Sequence, residues 1–575
     1  MLRRIFPFFS WIPSYKKEYI GGDLTSGITL GIMLIPQSMA YAMIAGLPPV
    51  YGLYAALMPQ LVYSFMGTSR HLSVGPVAMD SLLVASGLGA LNIAGISNYI
   101  AMAIVLTFFV GTLQLTLGIL KMGFLVNFLS TPVISGFTSA AALIIGLNQL
   151  SNFLGANIEQ ASKLHELTGN IFSRLGQTHL YTLLMGIGAV LLILVFQKIN
   201  KKNPASLIVV MLSIIVVYLF KLDSQGVAIV AAIPKGLPTF EIPQITLTNL
   251  QKLFPVAITL ALVAFMESMS VVKAMANKHQ YEISPNQELL ALGTSNIIGA
   301  FFASYPATGS FTRTALNDLN GSKTGLTGLI SALIIGSTLL FFTPLFYYLP
   351  DTVLAAVILV AIGGLFDMRY PMRLYNTKKD EFYLLLITFL LTLFVGIIQG
   401  ILFGSLLALL LLVHRTAKPH IAELGKIKGT SYFKNKQRFI QEVEQNTDVL
   451  VIRFDDQLYF GNKDYFKSEV LNIIAAQIQQ PKSLILKAEP ISYIDSSALM
   501  MLEQLVESLQ QKGIQVLISE LIGPTRDIIM KSNIFNLIGK THFFVDTADA
   551  YQFATVQKEK NALQEKIALQ IKDKS

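Results

Sequence analysis

Two short polar stretches hold the residues best able to do chemistry. Ser304 to Leu316 reads SYPATGSFTRTAL, and Arg70 to Asp80 reads RHLSVGPVAMD. Each interrupts sequence that is otherwise strongly apolar. An arginine in the middle of hydrocarbon costs at least about 2.5–3.5 kcal/mol on insertion scales, so Arg313 needs a partner or a task. Gly75, Pro76, Pro306 and Gly309 favour breaks in a helix. A helix that starts in mid-membrane exposes unpaired N–H groups and the positive end of its dipole. Two such ends facing each other make an anion site without any lysine. One helix is expected to start around Ser73-Val74-Gly75-Pro76 and the other around Thr308-Gly309-Ser310. Ser73, Thr308, Ser310 and Thr312 add hydroxyls, and Arg313 adds a permanent charge with a fork suited to oxyanions. The plainer alternative is that the prolines and glycines kink two spans and Arg313 neutralises a buried carboxylate.

Glu267 is the carboxylate at issue, alone within FPVAITLALVAFMESMSVV. An apolar environment favours the protonated carboxyl, and a nearby arginine favours the ionised one. A group held between the two can load and release a proton. A structural Glu267–Arg313 ion pair is the other reading; both hold if an anion competes with Glu267 for the guanidinium. Gln37, on the first apolar segment, is neutral and suited to donate to a substrate. Tyr41 follows at i+4 on the same helix face, although packing alone accounts for a tyrosine on a span. Asp80 lies one turn into the third segment, where pairing with Arg313, binding a cation or facing a water-filled cavity all stay open. Lys273 and Asp318 are expected nearer an interface, where snorkelling explains them.

These residues must be positioned by a membrane protein. The chain has 575 residues, 53% hydrophobic and 13% charged, against about 25% charged in soluble domains. Charge is sparse from Ile20 to about Leu412 and frequent from His414 onward, which marks a boundary between a membrane domain and a water-soluble one. The net charge of +9 does not point to nucleic acid. The basic residues sit in short loops, where they set topology and meet anionic lipid headgroups. With no cysteine there is no disulfide, thiolate metal site or thiol redox chemistry. No GxxxxGK[ST] is present, which argues against an ATP-driven pump. No enzyme activity, cofactor or metal is expected. The first 23 residues lack the apolar core and cleavage site of a signal peptide.

Apolar runs near 24–45, 50–66, 74–90, 98–119, 132–150, 180–197, 205–220, 252–275, 287–303, 310–318, 325–343, 351–366, 381–398 and 400–413 give about fourteen segments, the third and tenth broken. Even-numbered segments end in basic residues such as Arg70, Lys121, Lys198, Lys278, Lys323, Arg369 and Arg415, which puts both termini in the cytoplasm. Gln37-Ser38-Met39 recurs as Glu267-Ser268-Met269, and the same offset carries Pro76 to Pro306. Seven segments between copies invert the second, giving a seven-plus-seven repeat with the site at its pseudo-two-fold axis.

The remainder reads as α/β. VLVIRF (449–454), QLYF (457–460), SLILKA (483–488) and IQVLIS (514–519) are expected strands. Helices are expected at NKDYFKSEVLNIIAAQIQ, at DSSALMMLEQLVESLQQKG capped by Asp495 or Ser496, at PTRDIIMKSNI, and from Ala548 to Lys574. The expected division is 1–20 an N-terminal segment, 21–415 the transmembrane domain, 416–438 a linker, 439–556 the α/β domain and 557–575 a charged tail.

Four stretches closely resemble the sulfate permease (SulP) family, or solute carrier family 26, and its bacterial members. They are LIPQSMAYAMIAGLPPVYGLYAALMPQLVYSFMGTSRHLSVGPVA, ESMSVVKAMA, ATGSFTRTA and a C-terminal segment with IDSSAL resembling a STAS domain. The resemblance implies core and gate subdomains, a homodimer, an elevator-like motion and multi-pass insertion in a bacterial inner membrane. It implies that Gln37 and Tyr41 face the substrate; taken with the two breaks, the expected substrate site is Gln37, Tyr41, Ser73, Val74, Gly75, Pro76, Thr308, Gly309, Ser310, Phe311, Thr312 and Arg313. Within it, Ser310, Thr312 and Arg313 resemble the family's serine-x-serine-arginine, with threonine as the second hydroxyl. Glu267 takes the position of the coupling carboxylate, and Asp80 is the second coupling candidate. Ser496 and Ser497 fall where related bacterial regulators are phosphorylated. The implied function is secondary active transport of an inorganic anion, first of all proton-coupled sulfate uptake. Sodium-coupled bicarbonate, a dicarboxylate, or an uncoupled channel or exchanger are the alternatives.

Overall fold

The computed structural model describes residues 6–556 except 92, 128–129, 162, 200–203, 364–367 and 445. The expected tail, 557–575, and the last expected helix from residue 557 onward lie outside the described residues. The chain divides into two compact units, Met1–Ala408 and Leu409–Ser575.

The first unit is helical, and its elements follow the apolar runs closely. The first half holds α1 (Tyr19–Ile44), α2 (Pro49–Met66), β1 (Val74–Gly75), α3 (Ala78–Gly89), α4 (Ile96–Ile119), α5 (Thr131–Leu154), α6 (Leu180–Ile199) and α7 (Ala205–Phe220). The second half holds α8 (Leu247–His279), α9 (Pro285–Ala300), β2 (Thr308–Gly309), α10 (Phe311–Leu319), α11 (Leu326–Ser337), α12 (Asp351–Gly363), α13 (Lys379–Phe394) and the start of α14 (Ile397–Ala417), which continues past Ala408 into the second unit. The expected fourteenfold count and the two shortened segments, α3 and α10, are present. Three short helices, Phe8–Trp11, Leu164–Arg174 and Arg369–Thr377, are additions.

Local chemistry sets the ends. Thr246 caps α8 by accepting from the Asn249 N–H at 3.2 Å, and Ser284 caps α9 with Pro285 at its first position, both common N-terminal devices. Gly155 ends α5 in the left-handed region, φ 66°, where only glycine avoids a penalty.

The two halves are interwoven. The fourth helix of each packs on the first two of the other: α4 on α8 and α9, α11 on α1 and α2. Small residues allow this, as expected where no hydrophobic force drives helices together in lipid. A side chain at Gly293 would meet the Leu115 backbone N at 2.5 Å, and one at Gly31 would meet Ile334 at 2.7 Å. A second set of contacts joins α5, α6, α12 and α13. Lipid-facing α6 and α14 are only 22% buried over their most apolar windows, whereas α8 is 72% buried. That difference places α8 at the centre.

The second unit is a six-stranded sheet in the order β4-β3-β5-β6-β7-β8. Its strands are β3 (Ile421–Lys426), β4 (Phe433–Asn435), β5 (Val449–Phe454), β6 (Ser483–Lys487), β7 (Gln515–Ser519) and β8 (Phe543–Phe544). β5 to β8 run parallel, with α15 (Lys463–Ala475) and α16 (Ser496–Gln511) as crossovers. α17 (Gly523–Lys531) and α18 (Asn533–Ile538) replace the single helix expected there. Two expectations need correction. Residues 457–460 form no strand; only Leu458 makes a bridge, to Ile494. The expected linker 416–438 contains β3, which pairs antiparallel with β5, and β4, which pairs antiparallel with β3. IAELGK and FKN lack the apolar run that marks a central strand, because they lie toward an edge.

Candidate anion-binding site

The two polar stretches meet. β1 and β2 pair antiparallel, Val74 opposite Gly309 and Gly75 opposite Thr308. The Ser310 N–H donates to Ser73 O at 2.9 Å. From this crossing α3 and α10 depart with their N-termini adjacent. The first backbone bonds at their heads are Ser81 N–H to Val77 O, 3.0 Å, and Thr314 N–H to Ser310 O, 3.0 Å. The N–H groups ahead of these bonds point toward the crossing, which carries two partial positive charges. Ser310 is the N-cap of α10, and its Oγ faces the Arg313 N–H.

Arg313 is 2% exposed. Its Nε donates to Ser73 Oγ at 3.2 Å and its Nη1 to Pro76 O at 2.8 Å. Its Nη2 is buried with no protein partner and lies 3.4 Å from where a Gly75 Cβ would stand. One head of the guanidinium therefore braces the opposite half-helix while one nitrogen stays available. Among the described residues no ion pair joins Arg313 to Glu267 or Asp80; Glu267 Oε2 and both Asp80 oxygens are buried without a protein donor. The structural ion pair expected as one reading is absent.

The other expected residues divide. Gln37 Oε1 is buried and without a partner, and Tyr41 is 7% exposed. Phe311 is 55% exposed and, with Glu267, Met79 and Ser270, lines a cavity of about 190 Å³; Thr312 is exposed beside it. Ser73 and Ser310 sit at the crossing. Thr308 does not supply a free hydroxyl: it donates to Ala264 O at 2.8 Å, and Ser268 Oγ stands 2.8 Å from it on α8. The Gly309 N–H is taken by the same Ser268 Oγ, at 2.9 Å. The backbone N–H of Val74 is taken by Gln60 Oε1 at 2.7 Å.

Sequence reasoning missed the supports. Gln60, Ser268 and Asn296 hold the strands, while Thr314 Oγ1 accepts from the Ser73 N–H at 3.1 Å and Asn317 Nδ2 donates to His71 O at 3.0 Å. Their signal was present: polar residues at span positions with no charge to neutralise. At the far end of α10, Asp318 does not snorkel. Its carboxylate is held by Lys278 and by His279 Nε2 at 2.6 Å, with 8% of the side chain exposed. His71 donates from Nε2 to Ser322 O at 3.1 Å and stacks on His279 at 4.5 Å, 19° between rings. Near-parallel rings do not aim their nitrogens at one point, and Lys278 already supplies the cation, so this cluster is an ion network. In the second unit Asp495 caps α16 through the Ala498 N–H at 2.8 Å. Ser496 is exposed and Ser497 half-buried just beyond it.

Comparison with known proteins gives the family. Residues 20–388 match the sulfate permease family, and residues 441–550 match the STAS domain. The chain is 38% identical to sulfate transporter 4.1, chloroplastic, of Arabidopsis thaliana, over 98% of this chain and 84% of that one. It is 33% identical to high affinity sulfate transporter 2 of Stylosanthes hamata, over 96% and 86%. The solved structure of the murine Slc26a9 anion transporter in the inward-facing state superposes with a TM-score of 0.88 at 25% identity, covering 96% of this chain and 94% of that one. The family match over most of the chain, together with these relatives, places the chain in the sulfate permease family, as a multi-pass membrane transporter of inorganic anions.

Proposed function

We propose that the chain carries sulfate inward by secondary active transport coupled to protons, with the anion held between the heads of α3 and α10. The observation that carries this reading is the convergence of two helix N-termini at a buried Arg313 with one uncommitted nitrogen. Backbone N–H groups, Ser310 Oγ and that nitrogen suit an oxyanion with acceptors on every side. The two curated relatives described above are named as sulfate transporters, which favours sulfate within the class. Glu267 is the proposed proton carrier, with Asp80 beside it, because a buried carboxylate without a fixed donor changes charge when a proton arrives. Gln37, Tyr41, Ser73 and the segment from Ser310 to Arg313 are the proposed contacts. An elevator-like movement of the helices that carry the half-helices, a homodimer, cytoplasmic termini and a bacterial inner membrane belong to the same reading. So does the division into transport and STAS domains near residues 415–439.

Uptake of labelled sulfate, bicarbonate and fumarate into proteoliposomes, with a pH gradient, a sodium gradient or neither, tests it. Sulfate accumulation driven by an inward proton gradient is expected. A sodium requirement with bicarbonate preference overturns the sulfate–proton assignment, and gradient-independent flux points to a channel or exchanger.

A further inference from the structure

A two-residue β-strand pair is too short to hold itself in place. β1 and β2 nevertheless carry the heads of both half-helices, so their outer edges must be fixed from outside. A buried carboxamide from the second helix of each half holds the backbone there, at β1 itself in the first half and at Ala307, the residue just before β2, in the second, where Ser268 also takes the Gly309 N–H. On the first, Gln60 of α2, 1% exposed, accepts the Val74 N–H through Oε1 at 2.7 Å. A side chain at Gly328 of α11 would come within 2.2 Å of Gln60 Nε2, so the bare glycine gives this amide its seat. On the second, Asn296 of α9, fully buried, takes the backbone of Ala307 from both sides: the Ala307 N–H donates to Oδ1 at 2.9 Å, and Nδ2 donates to Ala307 O at 3.0 Å. Asn296 is itself fixed by Gln114 of α4, whose Oε1 accepts from Asn296 Nδ2 at 3.2 Å and whose Nε2 donates to Ala261 O of α8 at 3.2 Å. Both amides come from the second helix of their half, α2 for Gln60 and α9 for Asn296.

We infer that Gln60 and Asn296 are positioning residues that set how far apart, and at what angle, the two helix heads stand, and so determine which anion the site accepts. This rests on the reading of that crossing as the anion site. An anion bound by N–H groups from two helices needs both at about 2.7–3.1 Å at once. A fixed spacing therefore favours one ionic size, and a strand free to drift makes the site fit a compact spherical ion as well as a tetrahedral one. The chain Ala261–Gln114–Asn296–Ala307 also ties the strand to α8, the helix of Glu267, so the spacing is held relative to the carboxylate.

The test uses the full chain in proteoliposomes with sulfate and chloride. Gln60→Met and Asn296→Leu keep side-chain volume and delete the bonds; Gln149→Met, on a buried amide of α5 away from the strands, is the control. In folded, monodisperse protein the two variants should raise the sulfate KM at least about fivefold with kcat within about twofold, and lower the sulfate-to-chloride ratio of kcat/KM at least about threefold. The control should change neither. If Asn296→Leu does not fold, Gln114→Met removes only the support behind Asn296 and should shift the ratio in the same direction. Unchanged KM and ratio in folded Gln60→Met and Gln114→Met overturn the proposal, as does an equal loss of kcat for both anions. Arg313→Ala separates the two levels. If it is inactive while the isosteric variants are silent, only the positioning role falls; if it transports normally, the anion site itself lies elsewhere.

Discussion

The Arg313 guanidinium, from the head of α10, reaches Ser73 Oγ at 3.2 Å and Pro76 O at 2.8 Å at the head of α3, and so ties one half of the inverted repeat to the other. Charge-assisted bonds of this kind contribute about 1.5–3 kcal/mol each. Arg313→Ala should therefore lower saturable transport at least about tenfold and lower thermal stability measurably, because it removes both a brace and a charge. Arg313→Lys should restore the charge but not transport, since an ammonium cannot reach both acceptors while keeping a nitrogen free. Initial uptake rates and melting curves of the two variants check this; wild-type rates in Arg313→Lys would remove the role of the fork.

Glu267→Gln should keep anion binding and lose dependence on the pH gradient, because the side chain keeps its size and no longer titrates. Asp80→Asn should leave that dependence in place if Glu267 is the sole carrier, and weaken it if the two carboxylates share the proton. Counterflow measures binding and exchange; gradient-driven accumulation measures coupling. Undiminished accumulation in Glu267→Gln would exclude this residue.

Gly309 has no room for a side chain. An added Cβ would stand 2.7 Å from Leu72 Cδ1 and 2.9 Å from Ser268 Oγ. Gly309→Ala should cost about 1–3 kcal/mol through overpacking and displace the bond from its N–H to Ser268. Transport should fall more than for Gly89→Ala, where nothing lies within 4 Å of the added atom. Equal activity in the two variants would show that the crossing tolerates displacement.

In the second unit Glu520 ties the end of β7 to the helix at 547–556. Lys487 Nζ lies 2.7 Å from its Oε2, and Thr547 Oγ1 donates to its Oε1 at 2.6 Å. Burial alone would raise the Glu520 carboxyl, but the bonds from Lys487 and Thr547 outweigh it and hold it below its ordinary value. A carboxyl held low in the folded state stabilises fully above its unfolded value, about 4.3. That stabilisation is lost as pH falls through the folded value. Glu520→Gln should cost about 1–2 kcal/mol at neutral pH, and the difference from wild type should shrink as pH falls toward about 3. Hydrogen exchange of residues 547–556 in the full chain reads this directly, and a difference constant with pH would refute the ionic contribution.

Every residue named above at the crossing belongs to the first unit, so anion binding should survive removal of the STAS domain. The cut belongs after Lys418: β3 begins at Ile421 and pairs with β5, so ending near Gly425 would leave an unpaired strand. The shortened protein, if folded, should bind sulfate with a Kd within about twofold of the full chain. Loss of binding in well-folded protein would show that the domain shapes the site.

The sequence by itself determined the fourteen helical segments, the two broken ones, the repeat and the family. Each depends on local or periodic information: apolar runs of bilayer length, a proline and glycines that break a helix, an arginine hydrocarbon does not tolerate alone. The central strands β5, β6 and β7 were legible for the same reason, as buried apolar runs. What only the tertiary structure decided was pairing. Arg313 had a plausible partner in Glu267 by chemistry, yet its acceptors are Ser73 and Pro76, more than 230 positions away, because the inverted repeat lays β1 beside β2. Thr308 looked like a ligand and instead serves α8, since the side of a strand a hydroxyl faces follows from register. Gln60 and Asn296 resembled ordinary polar residues in spans, and only the folded chain brings them to the edges of strands that cannot hold themselves. β3 and β4 escaped for a related reason: strands at or next to a sheet edge draw their stability from a neighbour that composition does not name.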